Sequence, residues 1–499
     1  MMAYPLTLDR LLERARRWFP TTGIVARQPD GSVRRSDYAA WHQRATALAG
    51  GLLQAGLRPG DRVATLLWNQ SEHVDAYFGV PLAGGVVHPL NVRLHPAQLA
   101  AIVRHAGDRF ALVDASLLDL WREIGVPVER VIVCPDAYEA LLATSSPTPL
   151  PTLEENAAAA MAYTSGTTGE PKGVVYTHRA LVLHALATAL PDAMNLRAAD
   201  CVLPLVPMFH ANAWGIPYTA AMIGCKLVLP GAAFDAESAL QLLAQEQVTF
   251  SAGVPVIWDR ILDALEQHPG RWRLHPELRV NLGGAPAPEA LFHRFDRQGI
   301  RVHMGWGMTE MSPVGAINPN FGPGAQGGHG ARLRQGRLLP LIEGRAGDSG
   351  ELEVRGPWVA DQYWGGAAPE AWTADGWLRT GDIVAFDAQG LMTIVDRAHD
   401  LIRSGGEWIS SVALENALLG LPEIQEAAVI AVPDPKWQER PLALIVLRPG
   451  AAADPAAWRR SLEQSFAAWQ CPDRFLPVAV LPRTPTGKID KRALRAQFA

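Results

Sequence analysis

Cysteine is scarce. The 499 residues hold four (Cys134, Cys201, Cys225, Cys471), far apart and with no Cys-x-x-Cys pair. That excludes a disulfide framework or a cysteine-based zinc site and fits reduced core thiols in a cytoplasmic protein. A basic excess is also missing: 45 Lys and Arg face 50 Asp and Glu, a formal charge of −5. A dedicated nucleic-acid binder carries a basic excess or stripe, so that class is set aside. No run approaches the ~18 apolar residues of a membrane helix. The N-terminus turns charged at Asp9-Arg10 without a signal-type apolar core, so neither export nor an integral membrane segment is expected. Internal repeats and long low-complexity tracts are absent. What is present is ample apolar material, 48% hydrophobic against 19% charged residues, enough for packed cores. At roughly 100–200 residues per domain, the length suggests two to four folding units.

The first half alternates short apolar runs with amphipathic stretches. Arg62–Trp68, Gly85–His88, Phe110–Val113 and Val131–Cys134 read as strands, and Ser71 as the cap of a helix between the first two. Strand, helix, strand at this spacing predicts α/β layers with parallel pairing. The proline-rich stretch 144–151 and the glycine-rich stretch 321–330 read as loops, the second as mobile. The last hundred residues read as a small α+β unit. Ala427–Val432 and Leu442–Leu447 look like strands. Asp454-Pro455 is a helix start, followed by Trp458, Leu462, Phe466 and Trp469 at helical spacing.

The strongest chemical signal is Tyr163-Thr-Ser-Gly-Thr-Thr-Gly-Glu-Pro-Lys-Gly-Val174. A strand-like lead enters a loop of glycines and hydroxyls with one lysine. Backbone N–H groups, hydroxyls and Lys172 together make the physics of a phosphate cradle. No Gly-Lys-Ser/Thr closes it, so it is not the Walker pattern. This string resembles the phosphate loop of the acyl-adenylate-forming enzymes, which include acyl-CoA synthetases, luciferases and peptide-synthetase adenylation domains. Further signatures follow in that family's order: Pro207–Trp214, Gly283–Pro288, Gly305–Glu310, Thr380–Asp382, Asp396–Asp400, Gly405–Trp408 and Pro482–Lys488. The stretches 207–231 and 432–441 most resemble medium- and long-chain fatty acyl-CoA synthetases.

The resemblance implies a large multi-subdomain α/β body (residues 1–397) and a small mobile α+β C-terminal domain (398–499). It implies ATP-dependent formation of an acyl-CoA through an acyl-adenylate, with Mg²⁺, ATP and CoA. A medium- to long-chain fatty acid is the leading small-molecule substrate. The alternatives are a CoA ligase for a short or heteroatom-containing acid such as a methylthio-alkanoate, an acyl-AMP ligase loading a carrier protein, and a non-catalytic nucleotide- or lipid-binding relative.

Roles follow from matched positions. Thr164, Ser165, Gly166, Thr167, Thr168, Gly169 and Lys172 would cradle phosphate. Glu310 and Thr164 would sit at the metal, which takes hard oxygen ligands. Lys488 would be the adenylation lysine, supplying charge where the anionic carboxylate meets the anionic phosphate. Gly305, Trp306, Gly307, Met308 and Thr309, with Gly284, Ala285 and Pro286, would hold adenosine. Trp306 takes a stacking position where tyrosine is commoner, and exchanges a phenolic O–H for an indole N–H. Asp382 and Arg397 would hold the ribose hydroxyls. His210 would border the acyl carboxylate and the CoA path, with Trp214 on its face if helical, matching a tryptophan that gates the acyl tunnel in long-chain members. Gly315 and Ala316 would leave room for the acyl chain. Gly405, Gly406 and Trp408 would meet the pantetheine arm in a second state. His399 sits at the hinge, where Lys or Asp is usual, and would make the lobe equilibrium pH-sensitive. The amphipathic stretch Leu8, Leu11, Leu12, Ala15 and Phe19 would serve a homodimer or pack on its own body. Lys491, Arg492 and Arg495 read as surface charges.

Overall fold

The computed structural model describes residues 1–498 except 147, 165–170, 233–234, 320–330, 348 and 485–487. Among the described residues two large sheets form the body. One runs, by spatial order, Arg130–Cys134, Asp108–Asp114, Arg62–Leu66, Val86–Pro89, Ala158–Tyr163, Gly173–Thr177, parallel except for its last pair. The other has nine strands, with a parallel centre from Arg301–Gly307 through Arg279–Leu282, Phe250–Gly253, Cys201–Pro204 and Lys226–Leu229 to Gly23–Arg27. These strands are largely buried on both faces, as in Val86–Pro89, where every residue is buried. Helices cover both sides of such sheets, so no alternation with polar residues survives.

The expected strands are all present; in the body their ends move by a residue or two, and in the lobe they run longer, as Ile424–Asp434 and Gln438–Leu447. Ser71 is not a cap: it is the first residue of the helix Ser71–Leu82, and the preceding Gln70 makes no side-chain capping bond. The helix Leu8–Trp18 turns Leu8, Leu11, Leu12 and Ala15 into the body's own core. All four cysteines are free and buried.

A four-stranded sheet (Glu343–Ala346, Glu351–Arg355, Leu378–Phe386, Met392–Arg397) leads to the lobe, whose first strand is Ile402–Ser404. The lobe carries its own core, with Ile402, Leu414, Val429, Ile445 and Trp458 buried together. Asp454 caps Pro455–Leu462 by accepting from Ala457 N at 2.9 Å. That helix stops at Leu462, so the apolar spacing runs past it and Trp469 ends up 44% exposed. Two of the tail charges are not surface charges. Lys491 Nζ lies 2.7 Å from the buried Glu415, and Arg495 lies 2.6 Å from Asp400. The joint is held from both sides: Asp396 accepts from Ser411 N and Oγ at 2.6 and 2.7 Å in the lobe, while Arg397 reaches Asp382 in the body.

Candidate active site

Strands end where chemistry begins. The C-terminal ends of Val86–Pro89, Ala158–Tyr163, Arg279–Leu282 and Arg301–Gly307 open onto one cavity of about 350 Å³, the usual ligand position for parallel α/β sheets. Thr164, Lys172, His210, Trp214, Gly284, Gly305, Trp306, Gly307, Met308, Thr309, Glu310, Arg397, His399 and Lys488 all line it. Residues scattered over 325 positions of sequence, from 164 to 488, thus share one space. Ser165, Gly166, Thr167, Thr168 and Gly169 lie outside the described residues. The mouth of their loop is pinned: Thr164 N donates to Lys172 O at 2.9 Å, and Lys172 N to Thr164 Oγ1 at 3.4 Å.

Glu310 sits on a short turn after the strand Arg301–Gly307 and is 6% exposed. The Tyr363 hydroxyl donates to its Oε1 at 2.5 Å. Burial raises the Glu310 pKa, and the Tyr363 bond holds it down in part. Lys172 Nζ stands 5.1 Å over the Tyr363 ring, so cradle lysine and acidic turn share one aromatic support. Glu310 and Thr164 offer hard oxygens of the kind Mg²⁺ takes, and among the described residues no group of three acidic, histidine or cysteine side chains could hold a metal. That donor set fits Mg²⁺, which keeps waters and takes its remaining ligands from substrate phosphates.

Trp306 does more than offer a ring face. Its Nε1–H donates to Asp382 Oδ2 at 2.8 Å, and Arg397 Nε lies 2.7 Å from Oδ1. The expected adenosine and ribose residues are therefore one assembly. Lys488 enters from the lobe. Burial and the nearby Arg397 lower its pKa to about 8, against the opposite pull of Asp382 and Glu310.

His210 precedes a turn that a right-handed helix does not describe. Ala211, Asn212, Ala213 and Trp214 have φ of 40°, 55°, 51° and 56°, a left-handed turn closed by Gly215 at 74°. Left-handed backbone costs roughly 1–2 kcal/mol per residue, so strain is stored beside the site. The shared His210–Trp214 face expected of an ordinary helix is replaced by a different contact. The Trp214 ring closes on Gly283, where a Cβ would come within 3.0 Å of it. Burial, then Lys488 and Arg93, lower the His210 pKa to about 4, so it is neutral in this arrangement.

Some expected residues stand elsewhere. Ala285 and Pro286 do not line the cavity, and neither does Gly315. The space beside Gly315 is filled: a Cβ there would sit 2.5 Å from Met311 Cε and 2.7 Å from Trp306. Gly405 and Gly406 form the turn of a lobe hairpin away from the cavity, with Trp408 49% exposed beneath Arg403. Sequence reading missed Tyr363 and Asn281. Tyr363 follows Glu310 by 53 residues with no motif around it, and only the fold pairs them.

A large α/β body with a small α+β lobe, whose tail lysine enters a cavity built at strand ends, is the architecture of acyl-adenylate-forming enzymes. The chain belongs to the AMP-binding enzyme family. That family's model matches residues 13–364, and the model of its C-terminal domain matches residues 413–488. The chain is 44% identical to a long-chain-fatty-acid–CoA ligase of Thermus thermophilus, covering 100% of this chain and 96% of that one. It is 39% identical to a medium-chain-fatty-acid–CoA ligase of Ectopseudomonas oleovorans (100% and 97%) and 40% identical to a 3-methylmercaptopropionyl-CoA ligase of Ruegeria pomeroyi (100% and 98%). An o-succinylbenzoate CoA synthetase from Bacillus subtilis, solved with its acyl-adenylate intermediate, superposes with a TM-score of 0.84 at 26% identity over 99% of both chains. Among the described residues no helix is long and apolar enough to cross a membrane.

Proposed function

We propose that this chain is an AMP-forming acid–thiol ligase that makes medium- to long-chain acyl-CoA. The observation that carries the reading is the tail lysine: Lys488 stands in the body's cavity, in the field of Glu310, Asp382 and Arg397. In the first step a carboxylate oxygen attacks the α-phosphorus of ATP, the bond to pyrophosphate breaks, and pyrophosphate leaves. Two anions must meet, and Lys488 supplies the offsetting charge where negative charge develops. Lys172 and the loop amides hold the leaving phosphates. Trp306, Asp382 and Arg397 fix the nucleoside, so the α-phosphorus is presented in one place. Glu310 and Thr164 would hold Mg²⁺. A bound Mg²⁺ neutralises phosphate charge.

In the second step the CoA thiol displaces AMP. Lys488 occupies the cavity, and the Gly405–Gly406 turn stands outside it, so one lobe position cannot serve both steps. The lobe, residues 398–499, rotates about the joint at Asp396–Asp400, with His399 at the pivot. Its glycines then meet the pantetheine arm.

Lys488→Ala tests this directly. Acid-dependent exchange of pyrophosphate into ATP is expected to fall roughly 10²–10³-fold, the usual cost of one preorganised charge donor. Thioester formation from synthetic acyl-adenylate is expected to stay near normal. Equal loss of both steps would refute the assignment.

A second reading has its own support. Met311 and Trp306 fill the space beside Gly315, and Trp214 packs against Gly283, which favours a short acid such as a thioether one. A kcat/KM series over straight-chain acids from C3 to C18, with 3-methylthiopropionate alongside, decides between them.

A further inference from the structure

One histidine on the cavity wall has no place in the chemistry so far. His88 ends the strand Val86–Pro89 and lines the cavity beside Tyr163 and Thr164. Its side chain is fully buried, and so is that of Asp108, on the strand two places away. His88 Nδ1 lies 2.9 Å from both carboxylate oxygens of Asp108. A carboxylate only accepts, so the ring proton sits on Nδ1 and Nε2 keeps its lone pair. That Nε2 is buried and has no hydrogen-bond partner among the described residues. A buried acceptor left unpartnered carries a desolvation cost, so such a group needs an explanation. Among the described residues the neighbourhood gives none of a purely structural kind. The Tyr163 ring is 5.2 Å away and tilted, and its hydroxyl is already engaged with His105 Nδ1 at 2.6 Å.

The thioester step releases a thiol proton, and the other cavity groups are poor acceptors for it. Burial depresses the basicity of His210, and in this lobe position Lys488 and Arg93 lower it further. Lys172 and Lys488 are cationic supports of the first step. Glu310 is bound to Tyr363. His399 rides on the hinge, 48% exposed, with Asp400 at 3.9 Å.

We propose that His88, oriented by Asp108, is the general base that takes the CoA thiol proton. This rests on the ligase reading above. The S–H proton passes to Nε2. The sulfur forms its bond to the acyl carbonyl carbon. The carbonyl–oxygen bond to AMP breaks with its electron pair remaining on AMP, and the imidazolium then releases its proton to water. Among the described residues the charged and titratable groups around the ring are Asp108 and Tyr163 from its two flanks, with Arg62 acting on Tyr163.

The test is single-turnover thioester formation from synthetic acyl-adenylate and CoA, pH 6 to 9, in wild type, His88→Gln and Asp108→Asn. Acid-dependent pyrophosphate exchange is measured on the same proteins. At pH 7 His88→Gln is expected to lose about 10²-fold or more in the thioester step, within the usual 10²–10⁴ range for a general base. Its residual rate is expected to rise tenfold per pH unit, because only thiolate then reacts, up to the thiol pKa near ~8.5. Pyrophosphate exchange is expected to stay within about threefold. Asp108→Asn can donate to Nδ1 and move the ring proton to Nε2, so it should show the same split and carries the test if His88→Gln fails to fold. Proportional loss of both steps, a thioester loss under about fivefold, or a pH slope unchanged from wild type would each overturn the proposal. Absence of pyrophosphate exchange in wild type with every acid would instead overturn the ligase reading.

Discussion

A lysine whose pKa falls to about 8 changes what nucleotide binding does to the proton count. Lys488 is seated among Arg397, Asp382 and Glu310 before any phosphate arrives, and burial and Arg397 prevail. At pH 7, 8 and 9 such an amine is about 0.9, 0.5 and 0.1 protonated. A phosphate oxygen at ~4 Å with an effective dielectric of ~20 favours the ammonium by about 4 kcal/mol, or about three pK units. That returns the pKa above 10, so binding should draw in about 0.1, 0.5 and 0.9 proton per site at the three pH values. The sign matters: the lysine pKa rises on binding, so proton uptake grows with pH and affinity falls as pH climbs through 8. Titration calorimetry with a non-hydrolysable ATP analogue and magnesium, in two buffers of different ionisation enthalpy, measures the uptake. Lys488→Ala should abolish the pH-dependent part. Uptake at pH 9 no larger than at pH 7, or equal uptake in the alanine variant, would refute the idea that the resting lobe holds this lysine against the body.

Other substitutions probe the same frame. Trp306→Phe removes the donor to Asp382, which is 2% exposed, and a hydrogen bond to a charged group contributes about 1.5–3 kcal/mol. The KM for ATP should rise about tenfold or more, and a change under twofold would detach Trp306 from nucleotide binding. Gly215→Ala places a Cβ 2.7 Å from the buried His184 ring at φ 74°, so urea unfolding should show a loss of about 2 kcal/mol or more. A neutral result would mean the left-handed turn is not held as described. Lys491→Ala leaves Glu415 buried without its cation, and breaking such a pair costs about 3–5 kcal/mol. Denaturation should show the lobe unfolding earlier, whereas a change below about 1 kcal/mol would return Lys491 to the surface charges.

Local pattern carried far in this sequence. Apolar runs bounded by turn residues marked the strands of the first body sheet, because strands buried on both faces are mostly apolar. Asp454-Pro455 marked a helix start because capping uses atoms within three residues of each other. Errors arose where local pattern competed with distant packing. Ser71 is a good cap by type, yet the helix begins one residue earlier than a Ser71 cap requires and Gln70 takes the preceding position. Gly315 looked like open space because a glycine lacks a side chain, but whether the space is open depends on Met311 and Trp306, which fill it.

The same distinction separates the site residues that were legible from those that were not. Lys488, Glu310 and Thr164 sit in strings dense with glycine, hydroxyl and proline, because each must bring backbone or a charge close to an anion. That demand leaves a local record. Tyr363 has no such demand: it gives one hydroxyl to Glu310 and one ring face to Lys172, and many sequences around it would serve. His88 and Asp108 are the extreme case. Twenty residues apart, His88 ends one apolar run and Asp108 lies just before another, and nothing in that spacing announces a polar pair. The parallel register sets Ala64 beside both His88 and Ala111, bringing the two outer strands to either side of the same strand. The pairing is thus a product of topology, and a chemistry assembled across a sheet is visible only once the sheet is built.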